Sequence, residues 1–155
     1  MKTFARREFL GWSAGLLLPA VTSRVASAAR NEGSGLAFSE MYVEGTMEFS
    51  EKLLALENKQ TTIKGYMAPP LKAEAAFFVL TSVPMAVCPF CGDAVSWPDN
   101  IVFVRTREIV AAIDYDRRIG VTGRLELGTD IDKDTGFVSR VRLVDARYAR
   151  VAGLF

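Results

Sequence analysis

Apolar residues are spaced for a helix early in the chain and for strands later. Over residues 49–59, FSEKLLALENK, Leu53, Leu54 and Leu56 fall toward one side of a short helix. Ser50, just ahead of them, is a residue type that accepts a hydrogen bond from a first-turn amide. The pattern therefore predicts a short helix with Ser50 as its N-cap.

Beyond residue 60 the pattern changes to β-prone or alternating segments bounded by Pro, Gly, Asp and Asn. Gly123, inside one alternating segment, predicts a bulge or bend, and the last two segments face each other across an Asp- and Gly-containing loop. The segment 107–114 predicts a second short helix. The predicted strands are 61–67, 75–81, 101–104, 119–127 and 137–144.

Five strands with one or two short helices predict a mostly β fold. The expected architecture is a small five-stranded OB-like barrel that is partly open. A β-sandwich of similar strands is the alternative, because both architectures use short alternating segments.

The N-terminus has the organisation of an export signal. Basic residues precede an apolar segment at 9–21, and small residues at 26–29 suit cleavage. The apolar segment is shorter than the ~20 residues of a membrane-spanning helix. Arg6-Arg7-Glu8-Phe9-Leu10 resembles the twin-arginine motif, which is used to export folded proteins. An ordinary Sec signal is the alternative.

The domain organisation follows from this signal. Residues 1–29 are predicted to be a twin-arginine signal peptide, 30–48 a flexible leader and 49–155 a single β-barrel-like domain. The mature protein is expected in the periplasm, with no stable membrane span.

Composition narrows the function. Lys and Arg total 19 and Asp and Glu total 18, and acidic residues slightly outnumber basic ones once residues 1–29 are set aside. Nothing in this balance favours nucleic acid as a partner. The chain has no histidine, which excludes Ser-His-Asp and Cys-His catalysis and histidine-ligated metals within one chain. An enzymatic function is therefore not favoured.

The only two cysteines, Cys88 and Cys91, stand in the stretch VCPFCG. They have three interpretations: a structural disulfide, two thiolate ligands of a metal, or a thiol–disulfide exchange pair. Thioredoxin-type exchange needs a long helix after the first cysteine, but Gly92 and Pro98 leave room for only about five residues between them.

For the metal interpretation, Met85 and Asp93 are candidate additional ligands. Two thiolates with a thioether favour Cu(I), whereas two thiolates with a carboxylate suit Zn²⁺. Phe90 and Trp97 fall in the same loop and are candidate members of a binding surface.

A family resemblance rests on Gly65-Tyr66-Met67-Ala68-Pro69, on the apolar segment 77–80, on the Cys-bearing loop and on Trp97-Pro98 before 101–104. Over about residues 60–145 the chain resembles a family of uncharacterised bacterial exported proteins and lipoproteins, a domain of unknown function. The resemblance implies export but no activity. Some relatives have a histidine in this loop, where this chain has a second cysteine.

We expect a binding or accessory protein that binds or handles a transition metal, Zn or Cu, through Cys88 and Cys91. A metal-transport or envelope protein is the expected partner. One alternative is thiol–disulfide exchange with Cys88 as the attacking sulfur. The other is an interaction module in which the two cysteines form only a structural disulfide.

Overall fold

Six strands and two short helical turns make up the part of the chain that the structure describes. This is a computed structural model, and it describes residues 34–69, 72–86, 98–133 and 136–151. The strands are β1 (Ser34–Leu36), β2 (Gln60–Met67), β3 (Phe77–Thr81), β4 (Ile101–Thr106), β5 (Arg118–Ile131) and β6 (Val138–Arg150). The helical turns are a 3-10 turn at Phe38–Glu40 and α1 at Glu51–Ala55.

Five of the strands form a ring. The pairing runs from β2 through β3, β4, β6 and β5 and returns to β2. Only β4 and β6 are parallel within the ring. The junction of β2 with β3 is narrow, since it contains only the pairs Tyr66↔Thr81 and Met67↔Leu80. The prediction of a mostly β fold built as a small, partly open barrel is confirmed.

Each predicted strand corresponds to one strand of the ring, and alternation explains which side chains point inward. In β5, Ile119, Val121 and Leu125 are fully buried while their neighbours remain partly accessible. Gly123 lies where the β5–β6 register shifts, and a Cβ there would stand 2.9 Å from the Val144 carbonyl oxygen. The predicted bulge at Gly123 is confirmed.

The expectation of a flexible leader over 30–48 is wrong from Ser34 onward. Strand β1 lies inside this range and pairs in parallel with β2, outside the ring. Leu36 and Met41 are buried in the core, and Tyr42 forms an isolated β-bridge with Phe49. The apolar residues of the leader follow neither a helical nor an alternating period, so only long-range pairing reveals its place.

The short helix predicted within residues 49–59 is confirmed and spans Glu51–Ala55, and the Leu53 amide donates to the Ser50 hydroxyl over 3.1 Å. The helix predicted at 107–114 is wrong. In that segment the Val110 amide donates to the Ala75 carbonyl and the Ala111 amide to the Tyr148 hydroxyl. These amides bond to distant parts of the barrel rather than to the preceding turn, so the segment is extended.

The long β5–β6 hairpin contains a buried arginine. Arg142 is only 7% exposed, and it donates to the carbonyl of Gly128 over 2.6 Å and to that of Leu127 over 3.5 Å. Its Nε atom lies 3.6 Å from a carboxylate oxygen of Glu126. Gly128 lies in a second register shift of the hairpin, between Leu127 and Asp130, so Arg142 supplies hydrogen bonds where the ladder is irregular.

Candidate functional site

The loop that contains the cysteines connects β3 to β4. These strands pair continuously from Phe77↔Arg105 to Thr81↔Ile101. Beyond the last pair, the Ser82 amide donates to the Asn100 carbonyl over 3.0 Å. The hydroxyl of Thr81 also donates to the Val83 carbonyl over 2.8 Å. Both ends of the loop are therefore held at a defined end of the barrel.

The β3–β4 hairpin is buried on both faces. Its inward face belongs to the main core, through Phe78, Leu80, Val102 and Val104. On its outward face the rings of Phe77 and Phe103 stack at 5.3 Å, and Phe103 stacks on Phe137 at 5.5 Å. Such double-sided packing makes this hairpin a rigid base for the loop.

A cation covers the outward stack. The Arg105 guanidinium lies 5.6 Å from the centroid of the Phe103 ring and 3.0 Å from a carboxylate oxygen of Asp132. Because the Asp132 side chain is largely buried, this ion pair fixes the β5–β6 loop against β4. No local sequence pattern indicates this contact, since the two residues are far apart along the chain.

Most of the predicted site residues lie outside the described residues. Cys88, Phe90, Cys91, Asp93 and Trp97 all fall within 87–97, so the metal site, the disulfide and the binding surface stay predictions.

Met85 is described, and it is half-buried near the start of the loop. Within the described ranges no three or more His, Cys, Asp or Glu residues group in a way that could hold a metal ion. In the same part of the chain, no helix has the length and apolarity to cross a membrane.

A groove that the sequence did not predict lies at the other end of β4. Its volume is about 1130 Å³, and three arginines from different elements line it: Arg107, Arg124 and Arg147. Their proximity depends on the register of β5 with β6, so no sequence motif could have indicated it. The other lining residues are Gln60, Thr106, Glu108, Ile109, Gly120, Thr122, Asp145, Ala146, Tyr148 and Ala149.

Two arginines of the groove are paired. Arg124 Nη1 donates to a carboxylate oxygen of Glu126 over 2.7 Å. Arg107 Nε donates to a carboxylate oxygen of Asp145 over 2.8 Å. This hydrogen bond, together with the charge of Arg107, holds the pKa of the Asp145 carboxyl below its usual value. Asp145 has a positive φ of 51°. It lies in β6 directly before Ala146, the last residue of β6 that pairs with β4.

We expect Asp145→Asn to lower the thermal midpoint slightly at neutral pH, because the ion pair is exposed and screened by solvent. Asparagine tolerates the same backbone conformation, so the substitution isolates the charge. Since folding depresses the pKa, the stabilisation is present above the unfolded value near 3.8 and is lost as the pH falls through the folded value.

Melting curves of both proteins from pH 7 to pH 3 test this prediction. The two midpoints should converge in acid, and added salt should narrow their difference at neutral pH. A difference that stays constant across this range would show that the carboxylate charge contributes nothing.

The ring of five strands, with its pairing order β2-β3-β4-β6-β5, has the form of a small OB-type β barrel. A DUF3299 family protein from Pseudomonas aeruginosa PAO1 has a similar crystal structure, with a TM-score of 0.50 and 15% sequence identity. The match covers 78% of this chain and 97% of that chain. It is a likeness of fold. No protein-family model and no curated protein matches the chain.

Proposed function

We propose that this chain is an exported periplasmic binding or accessory protein that holds a transition metal, Zn²⁺ or Cu(I), through Cys88 and Cys91. The observation that supports the proposal most is the attachment of their loop. Both loop ends continue from the β3–β4 hairpin, and Ser82 and Asn100 close its base by a hydrogen bond. Functional loops on rigid scaffolds are a common arrangement for binding sites.

The chemistry of the donors supports a soft or borderline metal. Two thiolates separated by two residues can bind one ion, and the chain has no histidine to compete with them. Met85, half-buried at the start of the loop, supplies a thioether for Cu(I). Asp93 supplies a carboxylate for Zn²⁺.

Such a donor set fills only part of a metal's coordination sphere. A ligand set of this kind suits transfer of the ion to a second protein, which completes the coordination from its own side chains. A metal-transport or envelope protein is the partner that this chemistry suits. Export through the twin-arginine route would deliver the protein already folded.

The experiment is to purify the protein without reductant and with reductant, and to measure bound Zn and Cu and free thiols in each preparation. We expect about one metal ion per chain in the thiol form, and Cys88→Ser or Cys91→Ser to abolish its binding, because one remaining thiolate cannot chelate. Met85→Leu should weaken Cu(I) selectively and Asp93→Asn should weaken Zn²⁺ selectively.

Met47→Leu is the matched control for Met85→Leu, since Met47 is an exposed methionine far from the loop in sequence. It should leave both metals unaffected. The proposal would be contradicted if the purified protein contained a Cys88–Cys91 disulfide and the reduced protein bound no metal. If that disulfide exchanged with a periplasmic oxidoreductase, the cysteines would belong to thiol exchange, and if it did not, they would form a structural cross-link.

A further inference from the structure

The groove of Arg107, Arg124 and Arg147 is bordered by a strand edge. Strands β4 and β6 pair as far as Thr106↔Ala146, and then the chain leaves the sheet at Arg107. Strand β6 continues to Arg150 and remains paired with β5 on its other side. In the described part of the chain, no strand pairs with Arg147–Arg150 on the side that faces residues 107–109.

The direction of the backbone groups on this edge follows from the register. The Val151 amide donates to the Arg118 carbonyl over 3.1 Å, and Arg150 pairs with Ile119. In an antiparallel ladder, alternate residues bond to the same neighbour. Val151, Ala149 and Arg147 therefore bond to β5, whereas Tyr148 and Arg150 direct their N–H and C=O groups to the opposite side.

The charges around this edge are mainly positive. Arg147 has no hydrogen-bond or ion-pair partner among the described residues, and the Asp145 carboxylate is already paired with Arg107. The alternation of β5 places Arg118 on the same outward face as Gly120 and Thr122, which form part of the groove. The basic side chains of Arg147 and Arg118 thus lie beside the free edge of β6. The residues next to them in the groove, such as Gly120 and Ala149, are small.

We propose that the edge of β6 at Tyr148 and Arg150 binds an extended acidic peptide segment of a partner protein. Extended peptides add to free sheet edges through backbone hydrogen bonds, and side chains on the rim select among them. Carboxylates of such a segment complement Arg147, whereas Arg124 is already paired with Glu126. A second copy of this chain is disfavoured, because its own Arg147 and Arg150 would meet like charges.

This groove and the described ends of the β3–β4 loop lie at opposite ends of β4. The loop begins at the Ile101 end of β4 and the groove at the Thr106 end, about 17 Å away for a strand of this length. The peptide proposal uses none of the residues that the metal proposal uses, so the two proposals can fail independently.

The test is fluorescence anisotropy with two labelled synthetic peptides, one in which Glu alternates with Val and one in which Lys alternates with Val. We expect the Glu peptide to bind and the Lys peptide not to bind. Arg147→Glu should weaken binding of the Glu peptide by about tenfold or more, because it replaces attraction with repulsion. Arg147→Lys should retain most of the affinity, which separates loss of charge from loss of folding.

The backbone contribution is tested by Arg150→Pro against Arg150→Ala. Both lose the charge, but only proline loses the N–H that faces the groove, and proline is tolerated on an edge strand where that N–H is free. Arg150→Pro should bind several-fold more weakly than Arg150→Ala. Cys88→Ser should bind the Glu peptide like the unaltered protein.

The proposal would be overturned by equal affinity for both peptides, by equal affinity of the Arg150→Pro and Arg150→Ala proteins, or by a dimer in solution that Arg147→Glu dissociates. Absence of measurable binding of the Glu peptide at low salt would overturn it as well.

Discussion

Met41→Ala should destabilise the fold by about 2–5 kcal/mol, the usual cost of truncating a buried methionine. The Met41 side chain is 0% exposed and belongs to the main core cluster. Its carbonyl accepts the Ser50 amide over 2.9 Å, so the backbone on both sides is also held. Little room exists for the core to collapse around the cavity. Chemical denaturation followed by circular dichroism measures the effect.

The control for this prediction is Met47→Ala. Met47 lies in the same segment but is 38% exposed, and only its backbone carbonyl bonds elsewhere, to the Arg140 guanidinium. Its truncation should change the free energy of unfolding by no more than about 0.5 kcal/mol. Equal effects of the two substitutions would mean that residues 34–48 do not pack as the structure places them.

Gly65→Ala is the second substitution with a large expected effect, about 1–3 kcal/mol, the range for forcing extra atoms into a packed core. A Cβ at Gly65 would clash with the Thr81 carbonyl oxygen and would stand 3.1 Å from atoms of both Leu80 and Phe38. Because the closest neighbour is backbone, no side-chain rotation relieves the clash. The narrow junction of β2 with β3 must widen instead.

The effect of Gly65→Ala extends to the proposed metal site. Thr81 is the last residue of β3 and starts the loop that contains Cys88 and Cys91. Displacing Thr81 moves one end of that loop, so we expect weaker metal retention in the Gly65→Ala protein even under conditions where it remains folded. Denaturation midpoints and metal content, measured on the same sample, separate the two consequences.

Gly120→Ala is the matched control in the neighbouring strand. A Cβ there would meet only a Val151 methyl group at 3.8 Å, which is ordinary contact. We expect a change within about 0.5 kcal/mol, since alanine also restricts the unfolded chain. If Gly120→Ala cost as much as Gly65→Ala, the loss of glycine in a strand, and not the close approach of β3, would be the cause.

The motif that carries the family resemblance has a physical explanation in these contacts. Gly65 permits the close approach of β3, and Met67 and Ala68 are both buried. The sulfur of Met67 also accepts the Ile113 amide over 3.4 Å, which fixes the extended segment after β4. The motif therefore lies where β2 pairs with β3 and completes the ring. This structural role does not depend on what the β3–β4 loop binds.

The sequence by itself determined the strands of the ring and the capped helix. Alternation reports burial on one face, and Ser50 and Gly123 have local roles that their residue types already favour. The cysteine loop was likewise predictable as a feature, because VCPFCG stands between two apolar strands. Its chemistry was narrowed by the missing histidines.

Tertiary structure alone decided the place of residues 34–48, the extended course of 107–114 and the groove beside β6. Leu36 and Met41 belong to no regular apolar period, and Val110 and Ala111 find their hydrogen-bond partners only after the barrel forms. Arg107, Arg124 and Arg147 come together through the register of β4, β5 and β6. Periodicity records how one segment meets the core, whereas these features depend on which distant segments become neighbours.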